Sequence, residues 1–258
     1  MRSAYFGLCC AVLTAVVACD RSAATVRDAS QPQTSGTPAR SRGCSDVPTA
    51  AALKSLLQNA PSQNGDAGGL NHGKAMWAAV TNRNGELCAL AVSTEDPAAT
   101  WPGSRGIAIA KASTANGFSS DTAPMSTARL YTLSQPGHSL WGAANGNPLN
   151  PLCAGNAVDL ETGIGKVCGG TITFGGGLGL YKGQTRVGGL GVSGDTSCTD
   201  HEIAKRVRQA AGLAPSGLPS DDIVYAAVDG PSPFAHAMCP NTFRDGKKLG
   251  DETPADKD

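Results

Sequence analysis

The segment Gly188–Val207 (GGLGVSGDTSCTDHEIAKRV) most constrains the fold, because a glycine-rich apolar run passes directly into the polar start of a helix. Its glycines Gly189, Gly191 and Gly194 match G-x-G-x-x-G. A dinucleotide-binding fingerprint needs its first glycine in the turn after a strand and an acidic residue about 20 positions further on. Here Gly189 and Gly191 lie inside the predicted strand, and the region around Ala214 reads LAPSGLPS. The pattern predicts a strand-to-helix junction without a nucleotide site, in which glycine marks a bulge or the close approach of another backbone or a ligand.

Apolar runs bounded by turn residues predict five short strands and several helices. Asn84-Gly85 is a strong hairpin signal between the two apolar runs of Ala75–Ser93. The other three strands are predicted over Gly170–Gly176, Leu178–Tyr181 and Arg186–Ser193. Helices are predicted over Thr49–Ala60, Ser104–Asn116, Met125–Ser134 and from Thr199, where Thr199–Glu202 matches an S/T-x-x-E capping box.

The first residues predict export and lipid attachment. Met1-Arg2 precedes an apolar run, Ala4–Ala18, which is too short to span a membrane. The run ends in Val16–Cys19, which resembles the lipobox of bacterial lipoproteins, with Cys19 as the lipidated residue. The alternative is an ordinary secretory signal, which would also place the domain outside the cytoplasm. We expect a protein anchored on the periplasmic side of a bacterial membrane.

Composition along the chain divides it into four parts. We predict a lipoprotein signal peptide over 1–18, a disordered tether over 19–43, one domain over 44–243 and a disordered, charged tail over 244–258. Lys+Arg and Asp+Glu each number 21, with no basic cluster, so neither nucleic acid nor an anionic membrane surface is an expected partner. Contact with the membrane is expected through the lipid alone.

Motifs for nucleophilic and thiol chemistry are missing from the sequence. Ser193 lies in G-V-S-G-D, which misses the G-x-S-x-G nucleophile elbow by one residue. There is no C-x-x-C of the thioredoxin type and no C-x-x-C-H for covalent haem. Once the signal peptide is removed and Cys19 is lipidated, six cysteines remain, and an even number in an oxidising compartment indicates disulfides. These are Cys44, Cys88, Cys153, Cys168, Cys198 and Cys239.

Three stretches together resemble one known family. Residues 176–206 (GGLGLYKGQTRVGGLGVSGDTSCTDHEIAKR) are similar to the hairpin, V-G-G-I-G-V-S-G strand and helix that end domains of the GlcG-like or HbpS-like haem-binding (haem-degrading) proteins. KASTA (Lys111–Ala115) resembles the central helix of that family, and QPGHSLWG (Gln135–Gly142) resembles its P-G-G-x-L turn. The cysteines resemble those of a secreted branch of the family.

The resemblance implies an α+β fold and a small-ligand function. The expected fold is a five-stranded antiparallel sheet with packed helices, profilin-like or PAS-like, in a chain that forms a homo-oligomer. The expected ligand is haem or another small apolar molecule. His138 is the candidate axial ligand, and Lys111 and Arg105 are candidate partners for the haem propionates, against the alternative of a solvated helix face. Trp101, Trp141 and Phe174 could line an apolar pocket, although core packing is the expected role of each.

An antiparallel meander also predicts how the cysteines pair. The first helix should start near the end of the first strand, which brings Cys44 to Cys88, whereas Cys153 and Cys168 close their own loop. By elimination Cys198 pairs with Cys239. This pairing faces Cys198-x-x-His201 with His236-x-x-Cys239, so a tetrahedral zinc site is the alternative to a disulfide. An oxidising compartment favours the disulfide.

Three classes of function follow from these observations. The expected function is a membrane-tethered, non-catalytic periplasmic protein that binds a small ligand such as haem. The alternatives are an enzyme of the same fold, either haem-degrading or using thiol chemistry, and an assembly protein without a ligand.

Overall fold

The computed structural model describes residues 42–253. The predicted signal peptide, Cys19 and the tether up to residue 41 lie outside this range. No helix within it has the length and apolar character needed to cross a membrane. The helices and strands are α1 (Ala50–Asn59), β1 (Asp66–Gly68), β2 (Trp77–Asn82), β3 (Leu87–Val92), α2 (Ser104–Phe118), α3 (Ala143–Gly146), β4 (Gly177–Lys182), β5 (Thr185–Ser193), α4 (Ser197–Ala210), β6 (Val224–Tyr225), α5 (Ala226–Asp229), β7 (Ala235–His236) and β8 (Thr242–Gly250).

A four-stranded antiparallel sheet in the order β3-β2-β5-β4 is the centre of an α+β fold. The predicted hairpin turns join β2 to β3 and β4 to β5. One of the five predicted strands, Gly170–Gly176, does not form. Its backbone instead bonds to two threonine side chains: Ile172 N donates to Thr114 Oγ1 at 2.9 Å, and Thr127 Oγ1 donates to the carbonyl of Phe174 at 2.6 Å. The glycines at both ends have positive φ values, which interrupt an extended run.

Helix α2 packs on one face of the sheet at very short range. A Cβ on Gly191 would lie 2.0 Å from the Ala108 carbonyl, and a Cβ on Gly189 would lie 2.2 Å from the Ala112 carbonyl. Only glycine at these positions lets an alanine-rich helix approach the strand this closely. The predicted close approach of another backbone is therefore confirmed, and the opening glycine pattern serves helix–sheet packing.

Helices α1 and α4 cover the opposite face of the sheet. Leu53 of α1 and Ile203 of α4 are fully buried in a core with Leu190 and Val192 of β5, which alternate with the two glycines facing α2. This alternation is the period of a strand buried on both sides. Helix α4 begins earlier than predicted, because Thr196, and not Thr199, is the capping residue, and its side chain accepts from Thr199 N.

Two further segments differ from the prediction. Met125–Ser134 forms two short 3-10 turns, Thr127–Leu130 and Thr132–Ser134, in place of a helix. The first part of the predicted disordered tail is ordered, because β8 pairs with β1 in antiparallel fashion. Arg244 adds a two-bond contact to Asp229 at 2.7 and 2.8 Å. These backbone and ion-pair contacts stabilise a charged segment that the composition suggested was unfolded.

Candidate functional site

An apolar groove of about 280 Å³ lies between α2 and the long loop that follows it; we call it the α2 groove. Gly106 and Ile107, both half-buried, line the helix side, and Leu149 lines the loop side. A Cβ on Gly106 would lie 3.8 Å from Leu149 Cδ2, so the two walls face each other at this point. Asn147 Nδ2 donates to Thr171 Oγ1 at 2.8 Å and places one polar pair in the lining. The groove suits a small, mainly apolar ligand.

Two exposed tryptophans lie a few residues before residues that line the α2 groove. Trp101 is 47% exposed and precedes Gly103, which lines the groove; Trp141 is 62% exposed and precedes Ala144, which also lines it. His138 is exposed in the same turn as Trp141. The backbone N–H of Trp141 donates to the His138 carbonyl at 3.1 Å. The prediction that both tryptophans pack in the core is wrong.

Arg105 holds the 153–162 part of the long loop against α2. Its side chain is 2% exposed and donates to the carbonyl oxygens of Asp159, Cys153 at 2.9 Å and Thr162 at 2.6 Å. Three backbone acceptors therefore satisfy the guanidinium inside the protein. Both predictions for Arg105, a propionate partner and a solvated helix face, are wrong, because the 153–168 loop folds over it.

Lys111 is likewise buried and engaged. Its Nζ lies 2.6 Å from Asp200 Oδ2 and 3.0 Å from the Val192 carbonyl, and 4.9 Å from the centre of the half-buried Phe174 ring. Burial raises the pKa of Asp200 to about 6 and lowers the pKa of Lys111, because each charged form loses its hydration. The pair joins α2 to the start of α4. Lys111 is therefore unavailable to a propionate, and the prediction that it contacts ligand is also wrong.

All six cysteines of the domain are joined in disulfides. The pairs are Cys44–Cys88, Cys153–Cys168 and Cys198–Cys239, which is the pairing predicted from the meander. Cys153–Cys168 lies beside Arg105 and closes the loop over α2. The described residues thus contain no free thiol. None of them supplies the resting thiol nucleophile that the enzyme alternative requires.

The zinc alternative at the third disulfide needs four converging ligands, and the structure brings together three. The candidate ligand atoms of Cys198, His236 and Cys239 lie within 4.8 Å of one another. His201 is directed elsewhere, with Nε2 3.1 Å from Asp222 Oδ1. Both sulfurs are bonded to each other, so neither is a thiolate in this state. The four residues do not form a Cys₂His₂ site here.

His236 occupies an apolar site beside that disulfide. Its Nδ1 donates to the Ala237 carbonyl at 2.6 Å, and its Nε2 accepts the Gly175 N–H at 3.1 Å. The ring packs on Tyr131 with 4.6 Å between centroids. Burial lowers the pKa of His236 to about 4, so the imidazole is neutral at pH 7.

Sequence reasoning missed the helix wall of the α2 groove. Gly103, Gly106, Ile107 and Ala110 share one flank of α2, at spacings of three, four and seven from the first residue. That spacing is a readable signal for a second apolar helix face. It was obscured because the remaining small residues of α2 pack on the sheet, so that the helix is apolar on more than one side.

More than half of this chain matches one known protein family. The family described as haem degrading protein HbpS-like matches residues 62–209, more than half of the chain. The chain belongs to the HbpS-like family. The match covers β2 to β5, α2 and nearly all of α4, and it ends before the β6–β8 region.

Solved structures resemble this HbpS-like chain at low identity, and no curated protein matches it. The PduOC–haem complex is 19% identical, with 64% of this chain and 94% of that chain covered and a TM-score of 0.45. Protein ORFY of Klebsiella pneumoniae is 20% identical, with 65% and 92% covered and a TM-score of 0.44. HbpS is 16% identical, with 72% and 98% covered and a TM-score of 0.40.

The HbpS-like family implies haem, and the α2 groove offers part of what haem requires. Haem needs an apolar surface for its ring and a donor for its iron. The groove supplies an apolar surface, and the exposed indoles of Trp101 and Trp141 and the exposed imidazole of His138 lie on the segments that lead into it, outside its lining. The buried cations on α2 take no part, because both are satisfied within the protein.

Proposed function

We propose that this HbpS-like protein binds haem at the α2 groove. The observation that carries the proposal is the combination of an apolar groove with the exposed side chains of Trp101 and Trp141 in a chain of a haem-degrading family. The groove has about 280 Å³, which is just below the usual range for ligand pockets, so in this proposal it takes only the apolar edge of the ring. The charged propionates remain in solvent.

His138 is the residue of this chain best placed to bind the iron. His201 and His236 are buried, and His72 Nδ1 is 2.9 Å from Asp66 Oδ1. His138 is exposed in the turn that leads into the groove wall. When bound, haem would supply an iron, and the imidazole of His138 would hold it. An exposed turn and a small groove favour weak, reversible binding, which suits a carrier or sensor.

The binding role is proposed to be non-catalytic and extracytoplasmic. Ser193 is 4% exposed, and the six cysteines of the domain are in disulfides. We further propose lipid attachment at Cys19 on the periplasmic side of a membrane, and assembly of several copies. The alternative functions are haem degradation on this fold and assembly without ligand.

A haem titration followed by absorption tests the site. We expect a saturable Soret shift in the wild type. His138→Ala should weaken binding by about ten-fold, equivalent to about 1.4 kcal/mol. His72→Ala is the matched control, because His72 is exposed but bonded to Asp66 and lies outside the groove. A Soret shift that persists unchanged in His138→Ala removes His138 from the proposal.

A second pair of variants tests the groove itself. Gly106→Leu should fill the groove without a backbone clash, because its Cβ meets Leu149 at an ordinary contact distance of 3.8 Å. Gly117→Leu is the control on the same helix, since a Cβ there meets nothing within 4 Å. We expect loss of haem binding in the first variant only. Equal haem affinity in both variants, or no saturable shift in the wild type, contradicts the proposed site.

Two further measurements test catalysis and attachment. In air, a reductant shifts the Soret band of the haem-loaded protein by reducing the iron, but we expect no faster bleaching of the band than in protein-free haem; faster bleaching would favour the enzyme alternative. Cys19→Ala should convert a protein that partitions into detergent into one that is aqueous or unprocessed. A wild-type protein that partitions into water without acylation would exclude the lipoprotein proposal.

A further inference from the structure

A second surface pocket, separate from the α2 groove, opens onto the Cys198–Cys239 disulfide. This pocket has about 240 Å³ and is lined by residues that include Tyr131, His236 and Cys239. Cys239 is 6% exposed and Cys198 is 1% exposed, so Cys239 is the sulfur nearer to the pocket. A small reagent in this pocket would therefore meet the Cys239 sulfur first.

The Cys239 sulfur lies at the amino-terminal turn of α4. The N–H of Cys198 donates to Cys239 Sγ at 3.2 Å, and Ser197 Oγ lies 3.3 Å from the same sulfur. Backbone N–H groups at a helix N-terminus stabilise a thiolate and lower the pKa of a cysteine placed there. The Cys198 N–H is thus already placed to donate to the Cys239 thiolate that reduction of the disulfide would produce.

Beside the two sulfurs of Cys198 and Cys239 lies a third group, the neutral imidazole of His236. His236 is 4% exposed, and the hydrogen bond from Nδ1 to the Ala237 carbonyl leaves Nε2 unprotonated. Its candidate ligand atom and the two sulfurs lie within 4.8 Å of one another. In a tetrahedral zinc site with Zn–S bonds of about 2.3 Å, ligand atoms are separated by nearly 4 Å. Parting of the two sulfurs would bring the cluster to that spacing with little movement of the backbone.

We propose that a dithiol reductant converts the Cys198–Cys239 disulfide into a binding site for a thiophilic divalent cation such as Zn²⁺. The ligands are the thiolates of Cys198 and Cys239 and the imidazole of His236, which gives up its bond to Gly175 N–H. The fourth position opens to the pocket and is filled by solvent or a small ligand. This is the one such group of ligands within residues 42–253, and the other two disulfides have no comparable histidine.

The reduction proceeds by two balanced thiol–disulfide exchanges. A thiolate of the dithiol attacks Cys239 Sγ, breaks the bond to Cys198 and releases the Cys198 thiolate. The second thiolate of the reductant then attacks its own mixed-disulfide sulfur and releases the Cys239 thiolate, which accepts the Cys198 N–H. The protein gains two electrons, and the reductant leaves as a cyclic disulfide. Any proton on either thiol is released when the cation binds.

Cobalt titration of the reduced protein tests the proposal. The full chain is reduced anaerobically with dithiothreitol and desalted, its thiols are counted, and Co²⁺ is added as a probe of tetrahedral thiolate sites. We expect one Co²⁺ per chain with sulfur-to-cobalt charge-transfer absorption, and none in the oxidised protein. Circular dichroism checks that the reduced protein remains folded.

Three variants separate this cluster from the other cysteines. Cys198→Ser/Cys239→Ser should abolish the charge-transfer band, and Cys153→Ser/Cys168→Ser should retain it. His236→Gln should weaken Co²⁺ binding by at least about ten-fold, the lower end of the loss caused by removing even an outer-sphere partner. Equal binding by reduced wild type and the first double variant would overturn the proposal. A Cys198–Cys239 bond that is reduced only when the protein unfolds would overturn it as well.

Discussion

Replacement of Arg105 by methionine tests whether one buried guanidinium holds the long loop against α2. Methionine keeps the length and apolar stem of the side chain but removes all its donors. Arg105→Met leaves the carbonyl oxygens of Asp159, Cys153 and Thr162 without their partner. The hydrogen bond to Cys153 is buried, and the other two are partly buried.

The expected loss of stability follows from that difference in burial. An acceptor left unpaired in the interior costs about 1–3 kcal/mol, and each partly buried hydrogen bond contributes about 1 kcal/mol net. We therefore expect Arg105→Met to lower the free energy of unfolding by about 3 to 5 kcal/mol. For a domain of this size the melting temperature should fall by about 10 °C.

Thermal unfolding under oxidising conditions measures the loss of stability. Limited proteolysis measures the release of the loop. New cleavage sites in Arg105→Met are expected within residues 148–169, because the loop loses its contacts to α2 while the Cys153–Cys168 disulfide persists. Arg83→Met is the control, since Arg83 forms an ion pair with Asp121 at 2.7 Å but is 46% exposed. Such exposed pairs contribute little to stability, because solvent screens the two charges. Equal losses in the two variants, with unchanged proteolysis, would refute the anchoring role of Arg105.

Three other predictions follow from the packing, the loop and the buried histidine. Gly191→Ala places a Cβ 2.0 Å from a backbone carbonyl of α2 and should cost more than about 3 kcal/mol, whereas Gly117→Ala, on the exposed side of α2, should be neutral or stabilising in urea unfolding. Cys153→Ser/Cys168→Ser opens a loop with a sequence separation of 15 and should cost about 3 kcal/mol, measured by the same method. Because burial lowers the pKa of His236 from 6.5 to about 4, the unfolded chain takes up a proton first as the pH falls. Wild-type stability should therefore fall by about 3 kcal/mol relative to His236→Gln between pH 6.5 and 4, and parallel curves would exclude a buried neutral imidazole.

Local patterns predicted the elements whose signals lie within a few residues. Asn84-Gly85 joins β2 to β3 as expected, and the alternation of glycine with Leu190 and Val192 places β5 between two helical layers. The α4 cap was placed three residues late, because Thr196 and Thr199 both suit the capping role and only Thr196 ends the preceding turn. The predicted strand over 170–176 is absent, since its apolar run bonds to threonine side chains from distant parts of the chain.

Residue chemistry alone misplaced the charged ligand candidates. Arg105 and Lys111 on α2 suited haem propionates by type, and the alternative was a solvated helix face. The structure buries both, because the 153–168 loop covers Arg105 and the start of α4 presents Asp200 to Lys111. Burial of a cation depends on acceptors supplied from positions far along the chain, and no local pattern records them.

The sequence by itself determined the α+β class, the family resemblance and the cysteine pairs, because each depends on spacing along the chain or on the order of its elements. Tertiary structure decided which polar groups are available to a ligand. It placed Trp101 and Trp141 outside, closed the α2 groove with Leu149 and ordered β8 against β1. These outcomes depend on contacts between residues distant in sequence, whose energies are set by burial and by the partners that burial brings together.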